Sequence, residues 1–266
     1  MTSASGPALQ RSSDLTRFIL APNPGPMSLE GTNSFVLQGP GHQGAVVVDP
    51  GPLDEAHLQA LAAAGPVELI LITHRHADHT AGAPRLHELT GAPVRAADAM
   101  HCHGRGTALR AGEVLHAAGL ELRVVPTPGH TSDSVCFHLP GDGASGSVLT
   151  GDTILGRGTT MLDYPDGTLG DYFASLDRLE SLGPATVLPA HGPVLPSLAD
   201  IAHAYRSHRL ERLAQVRAAL EKLGPEASAG DVATVVYADV DPSVRRAAET
   251  SVAAQLHYLR GGDGRQ

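Results

Sequence analysis

The chain has 266 residues, with 28 acidic and 19 basic side chains, 15 histidines, two cysteines and no tryptophan. This length suffices for one large domain, or for one domain with a small appendage, around a buried core. Two cysteines exclude a disulfide framework, and the net charge of −9 disfavours polyanion binding by bulk electrostatics. The many histidines instead favour a metal bound by imidazole.

The N-terminal residues show no signal-peptide pattern, and no segment approaches the roughly 18 apolar residues of a membrane span. We therefore expect a cytoplasmic protein that has no membrane partner. Residues 1–17, which are rich in small polar side chains, are expected to form a flexible N-terminus.

Short apolar runs alternate with helical patterns along most of the chain. Residues 44–49 (GAVVVD) and 67–73 (VELILIT) predict strands, and residues 53–64 between them predict a helix that ends at Gly65-Pro66. Three later runs, LRVVPTPGH, GSVLTGD and ATVLPAHG, each end beside a histidine or an aspartate. This alternation predicts an α/β layered fold with its functional residues at strand ends.

The pattern changes after Pro196. Residues 199–223 contain no glycine or proline and repeat apolar residues at helical spacing, and residues 230–237 and 242–259 predict two further helices. We therefore predict a catalytic domain over residues 18–198 and a helical C-terminal domain over residues 199–266.

The densest group of metal-ligand side chains lies in the segment HRHADH, directly after the strand at 67–73. It contains His74, His76, Asp78 and His79. One tetrahedral zinc cannot use all four side chains in a single loop, so the segment predicts two metals. Packing alone is a poor explanation, because burying four unsatisfied polar side chains is costly.

Three further candidate ligands, His130, Asp152 and His191, follow predicted strands. A bridging carboxylate suits two metals about 3.5–4 Å apart, so Asp152 is the predicted bridge. The remaining predicted ligands form a first site of His74, His76 and His130 and a second site of Asp78, His79 and His191.

The motifs THRHADHTAG, PTPGHTSDS, LTGDT and PAHG, in this order, resemble the metallo-β-lactamase fold superfamily. The resemblance covers about residues 18–195 and implies an αββα sandwich with one or two metals at the loop edge of two facing sheets. NPGPMSLEGTNSFVL and GDTILGRGTT further resemble the beta-lactamase-like-protein-2 group, whose mitochondrial member is an endoribonuclease. That group implies a small winged-helix-like C-terminal domain.

A site of this kind with two Zn²⁺ ions per chain is expected to generate a metal-bridging hydroxide for hydrolysis. Asp78, beside that hydroxide, is the predicted catalytic residue. The resemblance favours the phosphodiester of a single-stranded RNA, while small-molecule thioesters are the alternative, as in glyoxalase II and polyketide thioesterases. A β-lactam is disfavoured, because lactamases of this fold usually have Cys or Ser at the position of Asp152. A non-enzyme alternative is a metal-stabilised protein that binds nucleic acid or a partner.

Residues near the predicted site support weaker hypotheses. Arg157, Thr159 and Thr160 are candidate substrate contacts, although Arg157 could equally be a surface residue. Thr32 and Asn33 could brace the site or form a turn. Packing roles are favoured over pocket walls for Tyr164 and Tyr172, and Cys136 is expected to be a core residue of a strand. A loop or helix position is favoured over a further metal site for the segment His101–His103. A solvated helix face is favoured over a nucleic-acid contact for the arginines at 206, 209, 212 and 217.

Overall fold

The computed structural model describes residues 8–238 and 245–262. Within these residues the strands of a first sheet are β1 (Gln10–Arg11), β2 (Thr16–Leu20), β3 (Asn33–Leu37), β4 (Ala45–Val48), β5 (Val67–Leu71) and β6 (Val94–Arg95). The strands of a second sheet are β7 (Val114–Ala117), β8 (Leu120–Pro126), β9 (Val135–Leu139), β10 (Ser147–Gly151) and β11 (Thr186–Pro189). The first sheet follows chain order, and the second has the order β11-β10-β9-β8-β7.

The helices of the described residues are α1 (Glu55–Ala62), α2 (Ala77–Thr80), α3 (Ala83–Thr90), α4 (Leu169–Glu180), α5 (Leu198–Leu223), α6 (Ala229–Val236) and α7 (Arg245–Leu259). Asp54 caps α1 by accepting a hydrogen bond from the backbone N–H of His57 at 2.8 Å. The helix predicted over 53–64 is confirmed. None of these helices combines the length and apolar character needed to cross a membrane.

Alternation along the first sheet directs side chains into two cores. Phe35 and Leu37 of β3 face the second sheet, while Val36 between them packs on the opposite face. The same alternation in β4 places Val48 between the sheets and Val47 against α1 and α3. Fully apolar strands such as β4 are therefore buried on both faces, as expected for a central layer.

Helices α4 and α5 cover the outer face of the second sheet. Tyr172 and Leu176 of α4 pack with Val148 and Val187 of the sheet in one buried cluster. The predicted αββα sandwich is confirmed by this order of layers, with α1 and α3 on one side and α4 and α5 on the other.

The C-terminal helices share α5 with the sandwich. Ala202 and Tyr205 in the first half of α5 belong to the core under α4, whereas Val216 in the second half packs with Val232 of α6 and Val252 of α7. The predicted helical character is confirmed, but packing changes within α5 rather than at residue 198. The described residues after 198 contain no strand, so they carry no wing of a winged helix.

The predicted flexible N-terminus needs correction for residues 10–17. Residues 1–7 lie outside the described residues, but β1 pairs with β2, and β2 begins at Thr16. The buried carboxylate of Asp142 accepts hydrogen bonds from the Ser13 hydroxyl at 2.5 Å and from the Leu15 N–H at 2.9 Å. These bonds attach the segment to the second sheet.

Candidate metal centre

The seven predicted ligands follow strand ends that meet at one edge of the sandwich. His74 and His76 come directly after β5, and Asp78 and His79 lie in the short helix α2. The other three, His130, Asp152 and His191, follow β8, β10 and β11. The structure brings all seven together, although the first and last are 117 positions apart in the sequence. A backbone hydrogen bond from the Val135 N–H to the Thr73 carbonyl, 2.8 Å long, joins the two sheets beside the site.

Side-chain nitrogens of three histidines converge on a first position. His74 Nε2 lies 3.0 Å from His76 Nδ1, which lies 3.1 Å from His130 Nε2. These separations are close to the edge of a zinc coordination tetrahedron, which is about 3.3 Å for bonds of about 2.0–2.1 Å. The three atoms form a group that could hold a metal ion.

A second group forms around His79 and His191. His191 Nε2 lies 3.3 Å from Asp78 Oδ2 and 3.3 Å from Asp152 Oδ1, and His79 Nε2 lies 3.6 Å from each of these oxygens. The other oxygen of Asp152, Oδ2, lies 3.7 Å from His130 Nε2 in the first group. Asp152 therefore presents one oxygen to each group, which is the geometry expected of a bridging carboxylate.

Three atoms at the centre of this arrangement test whether the residues fit a metal. His79 Nε2, His191 Nε2 and Asp152 Oδ1 are buried and have no hydrogen-bond partner among the described residues. Buried polar atoms without partners are rare, and a cation accepted by all three satisfies them together. Imidazole and carboxylate are also suitable ligands for a divalent transition metal. The donor set therefore fits a divalent metal.

Four histidines are oriented from behind through Nδ1. His74 lies 3.1 Å from the Thr73 hydroxyl, His130 donates to the Met161 carbonyl at 2.6 Å, and His191 to the Gly31 carbonyl at 3.1 Å. His79 Nδ1 lies 2.9 Å from Asp49 Oδ2. In the neutral rings, such partners keep the proton on Nδ1. Nε2 of each ring therefore faces the centre with its lone pair available to a metal.

His76 is oriented in the opposite sense. Its Nε2 lies 3.2 Å from Asp163 Oδ2, which leaves Nδ1 facing the first group. Asp163 also pairs with Arg75, and Arg75 pairs with Asp166 at 3.2 Å. Asp163 thus contacts the most exposed histidine of the centre from the solvent side, and Arg75 links Asp163 to Asp166.

Asp49 and Asp163 are functional residues that sequence reasoning missed. Asp49 is 1% exposed, has a left-handed backbone with φ 52°, and accepts three hydrogen bonds from Thr73 and His79. A buried acid at the end of the run AVVVD was a usable signal, because a buried aspartate needs partners. Asp163 gave no such signal, since its contact with His76 spans 87 positions.

The carboxylates of the second group raise the pKa of its histidines. Burial lowers the pKa of His191, but the carboxylates of Asp152 and Asp78, each 3.3 Å from its Nε2, raise it to about 10. Burial also lowers the pKa of His79, and the charges of Asp49 and Asp152 raise it above its ordinary value. Without a metal, His191 therefore holds a proton at neutral pH.

The first group behaves differently. Burial, followed by the charge of His79, lowers the pKa of His74 well below its ordinary value. Burial also lowers the pKa of His130, against the raising effect of Asp152. Both rings are neutral at neutral pH, which is the form that binds a metal.

The three candidate substrate contacts lie in different environments. Thr160 is buried behind His130, with its hydroxyl 3.1 Å from His130 Nδ1, so it supports a predicted ligand, and its role as a substrate contact stays a prediction. Arg157 is exposed and paired with Glu30, so its charge is already neutralised. Thr159 is exposed on the same loop.

Other sequence hypotheses have clear outcomes. The Thr32 hydroxyl donates to the Asp78 carbonyl at 3.1 Å, and the Asn33 amide donates to the carbonyls of Pro189 and Gly192, so both residues brace the site. The described residues show no three-ligand group that includes the segment 101–103. Tyr172 and Cys136 are fully buried in the core, as expected.

The comparisons with known proteins agree with this geometry. Residues 27–191 match the family model described as the metallo-beta-lactamase superfamily. The chain belongs to the metallo-β-lactamase superfamily. This family and the enzyme class predicted from the sequence, a hydrolase, are thereby confirmed.

Relatives extend the similarity beyond the catalytic domain. The beta-lactamase-like protein 2 homolog of Caenorhabditis elegans is 31% identical over 263 residues, which cover 94% of this chain and 86% of that protein. The atrochrysone carboxyl ACP thioesterase of Aspergillus fumigatus is 32% identical over 216 residues, which cover 78% of this chain and 65% of that protein. A beta-lactamase domain protein from Burkholderia ambifaria superposes with a TM-score of 0.78 at 25% identity, covering 97% of this chain and 91% of that structure.

Proposed function

We propose that this metallo-β-lactamase superfamily hydrolase uses two metal ions, zinc by preference, to hydrolyse a small-molecule thioester. The observation that supports two metals is the position of Asp152, whose two oxygens face the two histidine groups. A single metal would leave one group of ligands without a cation. A solved structure that shares 29% identity and a TM-score of 0.52 with this chain is a di-iron-bound form, so iron is the metal to test against zinc.

The seven side chains that approach the centre would hold the metals. In the proposed assignment, His74, His76 and His130 would hold the first metal, Asp78, His79 and His191 would hold the second, and Asp152 would be a ligand to both. When bound, two such ions lower the pKa of a water toward neutrality and polarise a substrate carbonyl.

Asp78 is the proposed catalytic residue, because it is the acid of the centre that solvent reaches best. Its side chain is 33% exposed, compared with 11% for Asp152. Burial raises the pKa of Asp78, but the imidazole of His191, 3.3 Å away, and the charge of His79 lower it below its ordinary value. Asp78 is thus ionised at neutral pH and can accept a proton from the attacking water and pass it to the departing thiolate.

The charges around the entrance favour an acyl substrate over a polyanion. Arg75 is paired with Asp163 and Asp166, and Arg157 with Glu30, so carboxylates neutralise the arginines of the entrance. The phosphates that flank a scissile RNA linkage need free cations along the backbone path. A thioester presents one carbonyl to the metals and needs no such path.

The names of two relatives also support a thioester as the substrate. Two atrochrysone carboxyl ACP thioesterases, from Aspergillus fumigatus and Aspergillus chevalieri, are 32% and 34% identical to this chain over 78% and 81% of its length. By their names, both relatives are thioesterases that act on an atrochrysone carboxyl ACP.

Hydrolysis of single-stranded RNA is the second candidate. It is supported by the similarity to the beta-lactamase-like protein 2 homolog, because that alignment covers 94% of the chain and so includes the C-terminal helices. A β-lactam is disfavoured by the aspartate at the bridging position.

A substrate panel on protein loaded with zinc, and separately with iron, tests these proposals. The panel contains an acyl-CoA, S-lactoylglutathione, bis-p-nitrophenyl phosphate, single-stranded RNA and a chromogenic cephalosporin. We expect about two metals per chain by plasma emission and the highest kcat/KM with a thioester. A higher kcat/KM for RNA would replace the thioester by the second candidate, and one metal per chain at full activity would contradict the dinuclear site.

A further inference from the structure

A second cavity, of about 230 Å³, lies between the loop at residues 159–161 and the C-terminal helices. Three side chains of α5, His208, Arg209 and Arg212, form one wall, and Thr159 and Ser251 contribute hydroxyls from the loop and from α7. The described residues that line this cavity include no carboxylate. The cavity, termed here the α5 pocket, is therefore rich in hydrogen-bond donors and positive charge.

Arg209 is the most unusual residue of the pocket. It is 4% exposed, stacks over the ring of Tyr172 at 5.2 Å, and donates from one terminal nitrogen to the Thr160 carbonyl. The Nε atom of Arg209 has no hydrogen-bond partner among the described residues. No carboxylate of these residues lies within ion-pair distance of its guanidinium. A buried guanidinium is almost always paired, so Arg209 brings to the wall of the pocket a positive charge that no carboxylate of the described residues neutralises.

The neighbours of Arg209 add to the positive potential. Arg212 lies over the ring of Tyr237 at 5.0 Å, and its hydrogen bond goes to the neutral side chain of Gln215. Burial, followed by the charges of Arg209 and Arg212, lowers the pKa of His208, and His208 Nδ1 is buried without a partner among the described residues. Two guanidinium groups and an imidazole thus surround one small space.

The size of the pocket limits what it can hold. Sites for drug-sized ligands span about 300–1,000 Å³, so 230 Å³ suits one charged group rather than a whole nucleotide. From this size and these donors we infer that the α5 pocket binds one oxyanion group, a phosphate or a carboxylate, which the substrate carries at a distance from its thioester. The assignment to substrate rests on the proposed function.

The pocket and the metal centre share a wall. Arg209 bonds to the carbonyl of Thr160, and the hydroxyl of the same threonine lies 3.1 Å from His130 Nδ1. One loop therefore separates the guanidinium from a metal ligand. Thr159, which is exposed on the same loop, lines the pocket, and the anionic arm of a substrate would pass around this residue.

The first experiment is calorimetric titration of the metal-loaded protein with inorganic phosphate and with acetate. Phosphate also binds to metals, so the comparison between variants isolates the pocket. We expect Arg212→Gln and His208→Gln to weaken phosphate binding, by about ten- to hundredfold for Arg212→Gln, which removes a charged donor. The matched control is Arg217→Gln, since Arg217 is exposed on the same helix outside the pocket. Equal phosphate affinity in the wild type and both pocket variants, with unchanged melting temperatures, would overturn the proposal.

The second experiment identifies the source of the oxyanion. It compares kcat/KM for an acyl-CoA, which carries phosphates, with kcat/KM for the same acyl group on uncharged N-acetylcysteamine. We expect the ratio of the two values to fall about tenfold in Arg212→Gln and to keep its wild-type value in Arg217→Gln. Weakened phosphate binding with an unchanged ratio would overturn the assignment to substrate and identify a free anion as the ligand. Absence of hydrolysis of both thioesters, with phosphate binding still dependent on Arg212, would overturn the proposed function and support the oxyanion pocket.

Discussion

The two halves of the candidate metal centre use the same imidazole chemistry in different electrostatic surroundings. In one half, termed here the buried half, both histidines, His79 and His191, are fully buried and face three carboxylates, Asp49, Asp78 and Asp152. The other half contains the exposed edge of His76 and neutral histidines with lowered pKa values. The difference indicates that carboxylate placement, rather than the number of histidines, sets how strongly each half attracts a cation.

Removal of Asp152, the proposed bridge, is expected to have the largest effect on metal binding, because this residue faces both halves of the centre. Asp152→Ala removes the oxygens that face His130 on one side and His191 on the other. We expect metal affinity to fall by more than the roughly 10- to 100-fold typical of an outer-shell partner, with loss of hydrolysis. Metal content by plasma emission checks this, with the exposed Asp200→Ala as control. Two tightly bound metals in Asp152→Ala would refute the bridging role.

The buried half depends on Asp49. Asp49→Asn removes the charge behind His79, so we expect about 100-fold weaker binding of one metal and a free energy of unfolding lower by about 1–3 kcal/mol. Competition with a chromogenic chelator measures the affinity. Asp142→Asn is the matched control, because Asp142 is a buried acceptor of hydrogen bonds in the turn between β9 and β10 of the other sheet. An equal loss of metal affinity in both variants would mean that Asp49 acts only through general stability.

The raised pKa values of the buried half predict how pH affects metal binding. In the metal-free protein, His191 with a folded pKa of about 10 stabilises the fold fully below the unfolded value near 6.5, and this stabilisation is lost as pH rises through 10. A metal must displace this proton, so its affinity rises with pH by up to about tenfold per unit in that window. The increase in melting temperature caused by zinc should therefore be larger at pH 8 than at pH 6. An increase independent of pH would contradict the protonated state of this half.

The open half depends on Asp163. Asp163→Asn weakens the bond that orients His76, and because this carboxylate is 36% exposed we expect about a tenfold loss of affinity for one metal only. Asp166→Asn is the control, since Asp166 pairs with Arg75 but does not hold His76. The absorption spectrum of cobalt-substituted protein reports the geometry of each half separately. A spectrum altered equally by both variants would assign the effect to the loop instead of to the histidine.

The smallest effect is expected outside both halves. Arg157→Ala removes an exposed ion pair with Glu30, so stability should change by no more than about 0.5 kcal/mol and kcat/KM by less than about twofold. A large rise in KM would restore Arg157 as a substrate contact.

Much of the fold followed from local patterns. The strands around AVVV and VELIL, the helix after Asp54 and the long helix after residue 197 are local in origin, because alternation, caps and glycine or proline stops act over a few residues. The shared packing of α5 was not predictable, since its apolar residues match both the sandwich and the C-terminal helices.

The sequence by itself determined which side chains can bind metal, because ligand-type residues follow four strand ends and strand ends of layered α/β folds meet at one edge. Only the tertiary structure decided how each ring is oriented and which half is charged. Asp49 and Asp163 act on His79 and His76 across 30 and 87 positions. Contacts at such separations depend on how the sheets and loops pack, so local sequence patterns do not predict them.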